Sequence, residues 1–121
     1  MRMWMVEPKK MCRKHLMGEH VELHMFVGTL NAGRKVNGYL KNGLLEVDKI
    51  WERHEAIVIE ITRRGYRHRS PLDQVVVSDV LVKALKYNQT HRINVEKNEK
   101  NLRKRCKICK MLQENYDKQG H

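Results

Sequence analysis

The 121-residue sequence is poor in proline (two residues), cysteine (three) and aromatic side chains (6%), and its 14 acidic residues face 25 lysines and arginines. Each shortage excludes something. Few aromatics and prolines, with long charged stretches spaced by apolar residues, argue against a strand-rich sandwich and for helices. An odd number of cysteines is not a disulfide framework, and a reducing compartment is the expected setting. No apolar run approaches the roughly 18 residues that a transmembrane helix needs, and no secretory leader pattern is visible. A soluble cytoplasmic protein with no membrane partner is expected.

Positive charge is in excess: the net charge is +11 and runs from Lys9 to Lys118 rather than forming a tail. Such a surface attracts polyanions, nucleic acid above all. The 40% hydrophobic content supplies one core. The expected fold is mainly α, a single compact helical domain of about three to four helices over residues 1–121, with 94–121 a basic C-terminal helix and tail. A monomer is expected.

From Lys9 to Val27, Cys12, Leu16, Leu23 and Val27 fall within about 60° on a helical wheel, which predicts an amphipathic helix. His15, Glu19 and Glu22 lie along the edge of that stripe. Four glycines between Gly28 and Gly43 predict a loop. Val47, Ile50, His54, Ile57 and Ile61 trace a second helical face ending in Arg63-Arg64-Gly65, basic residues followed by a C-cap glycine. The β-branched run Ile57-Val58-Ile59 keeps a strand open as an alternative. Ser70-Pro71 reads as an N-cap serine with proline at the first helical position, opening a helix toward Tyr87. From Asn94 onward, Val95, Leu102, Cys106 and Cys109 recur at helical spacing among lysines and arginines.

The densest polar constellation is His15-Leu16-Met17-Gly18-Glu19-His20-Val21-Glu22-Leu23-His24. Pairs at i,i+4 can share a metal ion, but His20 and His24 point roughly 140–180° away from His15, so one site cannot use all of them. A solvated face with one or two core-edge histidines is the simpler reading. Cys106-Lys107-Ile108-Cys109 has the spacing of a zinc or redox pair. Zinc would need two more ligands, for which Cys12 and any histidine are available. Because both cysteines continue the Val95/Leu102 stripe, packing is the expectation, with no metal and no other cofactor. Trp4 and Trp51 are likewise expected in the core rather than as base-stacking platforms.

The stretch Lys14-His15-Leu16-Met17-Gly18-Glu19-His20-Val21-Glu22-Leu23 closely resembles the Q-H-L-M-A-E-Y-R-E-L segment of the pyrimidine-dimer DNA glycosylases of the phage endonuclease V type. Met1-Arg2 stands where that family has threonine-arginine, at the same distance from the histidine, and Arg53-His54-Glu55-Ala56-Ile57 through Arg64-Gly65-Tyr66 resembles its second helix and terminal R-G-F. Val21 replaces an arginine of the type member, and the family's aromatic W-Y-K-Y-Y-G tail has no counterpart. The resemblance implies a metal-free enzyme. It would cut the glycosidic bond at a pyrimidine dimer in duplex DNA, then nick the backbone by β-elimination.

Carried over, the catalytic groups are the α-amine of Met1 and the carboxylate of Glu22. Arg2, Lys14, His15 and His20 fall on the DNA side; Glu19 matches the motif's first glutamate, with no catalytic role assigned. The amine suits the chemistry. At pH 7 a terminal amine with a reference pKa near 7.7–8.0 is roughly a tenth to a sixth neutral, against about 0.04% for lysine. Initiator methionine is removed when a small residue follows it, so Met1 before Arg2 is expected to stay. The competing readings are a non-catalytic basic DNA-binding module and a metal-dependent nuclease built on the histidine-rich helix. A module would not need a carboxylate beside phosphates, and a nuclease would fail in chelator.

Overall fold

The computed structural model describes residues 1–84, 86–87 and 91–120. These form six helices and, among the described residues, no strand: α1 (Arg13–Asn31), α2 (Asn37–Lys41), α3 (Ile50–Arg63), α4 (Gln74–Ala84), α5 (Val95–Arg105) and α6 (Lys107–Lys118). The mainly α expectation holds, with more and shorter helices than the three to four expected. No described helix is long and apolar enough to cross a membrane.

The helix read from Lys9 begins later. Pro8 opens a short 3-10 turn, Pro8–Lys10, and Cys12 then takes an extended conformation (ψ 162°) as the N-cap of α1. At its other end α1 overruns the expected loop: Gly28 to Asn31 remain helical, and the chain turns at Gly33, whose φ of 74° suits a residue without Cβ. The remainder of that segment holds α2, which buries Leu40. Glycine there marks a turn rather than sustained irregularity.

Helix α3 ends as predicted, with Arg64 at the cap and Gly65 at φ 86°. Its β-branched run is helical because Ile57 and Ile61 bury one turn apart, beside Ile50. The start of α4 differs from expectation. Asp73, not Ser70, accepts from the backbone N–H of Val75 (2.9 Å) and Val76 (3.3 Å), and the described helix stops at Ala84, short of Tyr87. The single C-terminal helix is two: Cys106 is extended (φ −135°, ψ 112°), closing α5 and capping α6.

Helix α1 is the centre of the molecule, packing on α3 and α4, while α5 and α6 pair and the Pro8–Lys10 turn seats against α6 and α3. The core runs through Met3, Met11, Leu16, Leu23, Phe26, Ile57, Ile61 and Leu102, all essentially unexposed. Removing each such side chain from water contributes about 1.5–3 kcal/mol, so the apolar stripe of α1 fixes which of its polar residues end up inside. Residues 1–7 precede the first helical turn without regular secondary structure, and Met5 takes a positive φ of 58°. The Met3 N–H donates to the Leu44 carbonyl (2.8 Å), and Trp4 and Val6 are buried.

Candidate active site

The buried stripe of α1 spans about 120°, from Phe26 on one side to His20 on the other, and places its polar residues in three positions. Glu19 lies inside it, close to the Phe26 side, and is fully buried. Arg53 of α3 meets it with two hydrogen bonds, Nε to Oε2 at 2.6 Å and Nη2 to Oε1 at 2.8 Å. That bidentate pair satisfies both charges away from water. It ties α1 to α3 inside the core.

Glu22 and His15 occupy one edge of the stripe, both half-buried. The backbone N–H of Arg2 donates to Glu22 Oε2 at 3.1 Å. The N-terminal residue is therefore bonded through its own peptide to a residue that donates to the Glu22 carboxylate. The Arg2 guanidinium is held on two sides. It lies 3.7 Å from the Trp4 ring centroid and donates from Nη2 to Asn98 Oδ1 at 2.7 Å, while its buried Nε has no hydrogen-bond acceptor among the described residues. Burial and the nearby Arg105 lower the Arg2 pKa, while Glu22 and Glu19 oppose them. Asn98 of α5 also donates from Nδ2 to the Trp4 carbonyl at 2.9 Å, so the C-terminal helices brace the N-terminal segment from behind. Trp4 is buried under Arg2 and Arg105 and is no base-stacking platform.

His15 turns away from this carboxylate. Its Nδ1 lies 3.1 Å from Cys12 Sγ and 3.6 Å from Cys109 Sγ, and its ring packs edge-on to Trp4. Burial, with Lys14 and Arg105 nearby, lowers its pKa. Lys14 is exposed on the first turn of α1.

The opposite edge carries His20 and His24, which join His54 of α3 and His68 of the following loop. His20 Nε2 and His68 Nε2 are 2.9 Å apart, so only one of the two carries the shared proton. His24 Nε2 reaches the Ser70 carbonyl at 2.7 Å, and His54 Nδ1 reaches Glu55 at 2.9 Å. Burial, then His54, His24 and His68, push the His20 pKa down to about 4. At 4% exposure His20 packs among His24, His54 and His68, and its contact with His68 seats the loop that follows α3. Among the described residues, two groups bring possible metal ligands together: Cys12, His15, Cys106 and Cys109, and separately His20, His54 and His68, the ligand atoms within each lying no more than 4.8 Å apart.

Sequence reading missed Asn98, His54 and His68 as participants. Nothing local in α5 signals that Asn98 reaches a residue 96 positions earlier. The spare histidines in the second helix and the Arg67-His68-Arg69 loop were the only hint of the second cluster.

The model of one protein family, described as pyrimidine dimer DNA glycosylase, matches residues 1–74. Searches among curated proteins and among solved structures gave no match. The matched segment covers more than half the chain and contains Met1, Arg2, Lys14, His15, Glu22 and the Glu19–Arg53 pair, while α5 and α6 lie beyond it. The chain belongs to the pyrimidine dimer DNA glycosylase family.

Proposed function

We propose that this glycosylase is also a lyase that works through an imine on its N-terminal amine, with Met1 as nucleophile and Glu22 as the catalytic carboxylate. The observation that supports this reading is the 3.1 Å hydrogen bond from the Arg2 N–H to Glu22, which ties the start of the chain to the one half-buried carboxylate of the α1 motif. The neutral amine attacks the sugar C1′. The C1′–N bond breaks, its electrons leave with the base, and the base takes up a proton. The attacking nitrogen gives up one proton, its lone pair forms the C1′=N bond, and the C1′–O4′ bond breaks with its electrons going to O4′, which takes up a proton; the product is a protonated imine with the sugar ring open.

An imine at C1′ acidifies the C2′ proton. Glu22 accepts that proton, the electron pair forms the C2′–C3′ double bond, and the 3′ phosphate leaves with the electrons of the C3′–O bond. Water then hydrolyses the imine and releases the amine. Arg2 contributes a fixed cation whose buried Nε–H lacks a partner among the described residues, a group that a phosphate or lesion oxygen could satisfy. A base inside a duplex is inaccessible to C1′ attack from this site, so one nucleotide must leave the stack at a cost of a few kcal/mol.

Borohydride added during reaction on ultraviolet-irradiated duplex should reduce the imine and leave a covalent complex, mapped by peptide analysis to the Met1 amine. Glu22→Gln should lose strand cleavage while keeping damaged-DNA binding, since it removes a proton acceptor and adds no negative charge. An adduct on a lysine, or cleavage by Glu22→Gln at the wild-type rate, defeats the mechanism.

A further inference from the structure

We propose that Cys12, His15, Cys106 and Cys109 bind one structural zinc ion that clamps the C-terminal helical pair to the start of α1. The proposal is independent of the imine mechanism, and two of its four ligands lie outside the family-matched residues 1–74.

The geometry carries it. Zinc–sulfur bonds of about 2.3 Å and zinc–nitrogen bonds of about 2.05 Å at tetrahedral angles place sulfurs about 3.8 Å apart and sulfur about 3.6 Å from nitrogen. Cys106 Sγ lies 3.8 Å from Cys12 Sγ, and Cys109 Sγ lies 3.6 Å from His15 Nδ1. The Cys12 Sγ to His15 Nδ1 distance, 3.1 Å, is the tightest of the set. All four ligand atoms fall within 4.8 Å of one another.

The ligands form two matching halves. Cys12-x-x-His15 and Cys106-x-x-Cys109 each place the first ligand at a helix N-cap and the second in the helix's first turn. Both helix N-termini therefore direct their positive ends at the cluster, which suits a zinc ion with three thiolates and a net charge of −1. Backbone N–H groups also point at sulfur: Cys12 N–H to Cys109 Sγ at 3.2 Å, and Cys109 N–H to Cys106 Sγ at 3.5 Å. Such donors are the outer support that thiolate ligands receive in metal sites. Helix packing alone, the role expected from sequence, explains a buried Cys109 but not why α5 breaks at Cys106 to bring a second sulfur to the place where α1 already presents the Cys12 sulfur and the His15 ring nitrogen.

Linking residues 12 and 109 matters to the site already described. Asn98, on the helix so clamped, holds Arg2 and the Trp4 carbonyl. The metal would do what a large aromatic or a longer core does elsewhere: fix a small basic hairpin against the domain.

The test is metal analysis of the untagged full chain, purified without chelator from zinc-supplemented medium. About one zinc per chain is expected, near zero in Cys106→Ser/Cys109→Ser, and retained in His15→Cys, which offers a fourth thiolate. Co(II) substitution of the wild type gives a second measurement that does not depend on the double variant folding. It should show the sulfur-to-cobalt charge-transfer bands and intense visible absorption of a tetrahedral thiolate site. Wild type without zinc and without those bands overturns the proposal. So does zinc that persists in the folded double serine variant, which would assign it to the His20, His54 and His68 group, or a Cys12–Cys106 disulfide as the stable state.

Discussion

Two glutamates three residues apart have opposite fates, and the difference is angular. Glu19 lies inside the apolar stripe of α1 and Glu22 at its edge, so one is sealed against Arg53 and the other faces the N-terminal segment. Breaking a buried pair from one side strands a charge, at a cost of about 3–5 kcal/mol, whereas replacing both partners by apolar groups of similar volume is often neutral. Arg53→Ala is therefore expected to lower the unfolding free energy by about 3–5 kcal/mol in urea titration, and Glu19→Leu/Arg53→Met by clearly less. The reverse order would mean that the pair is solvated. Arg53 Nη2 also lies 3.3 Å from Met11 Sδ, so the single variant loosens the N-terminal segment as well.

At the scale of elements, what was legible in the sequence was whatever repeats locally. The stripe of α1 and the second helix with its Arg63-Arg64-Gly65 end could be read from neighbours within a few turns, while the H-L-M-x-E-x-x-E-L motif was legible as a resemblance to a family whose model matches residues 1–74. The boundaries that failed are those where two signals compete. Ser70-Pro71 has the composition of a helix start, yet the Ser70 carbonyl is engaged by His24, and Asp73 supplies the cap three residues later. Cys106 continues the helical periodicity, and only contact with Cys12, 94 residues away in sequence, marks the break there. Long-range partners leave no local periodicity to find. Asp73→Ala should consequently cost about 1 kcal/mol, as loss of an N-cap does, while Ser70→Ala, which keeps the backbone carbonyl, should be near neutral. Equal losses from the two would return the cap to Ser70.

For the whole molecule the sign and placement of charge decide how it meets DNA. Six of the 14 acidic residues, Glu19, Glu46, Asp48, Glu52, Glu60 and Glu99, each face a lysine or arginine within 4.0 Å. The net charge is +11. A basic groove starts at Arg2 and Lys41, shares Lys97 with the next depression along α5, and continues past Lys100 and Lys104. It begins at the residue whose N–H holds Glu22, which makes it the track we propose for the DNA backbone. Each phosphate neutralised on duplex DNA contributes about −0.9 to the slope of log affinity against log salt, so five contacts from Arg2, Lys41, Lys97, Lys100 and Lys104 predict a slope of roughly −4.5. Lys100→Glu/Lys104→Glu should flatten that slope by about 1.8 and weaken damaged and undamaged duplex alike, because phosphate contacts carry no lesion information. Fluorescence anisotropy over a salt series measures both numbers. An unchanged slope in the variant would move the DNA to another face, and a loss confined to damaged duplex would mean that α5 reads the lesion rather than the backbone.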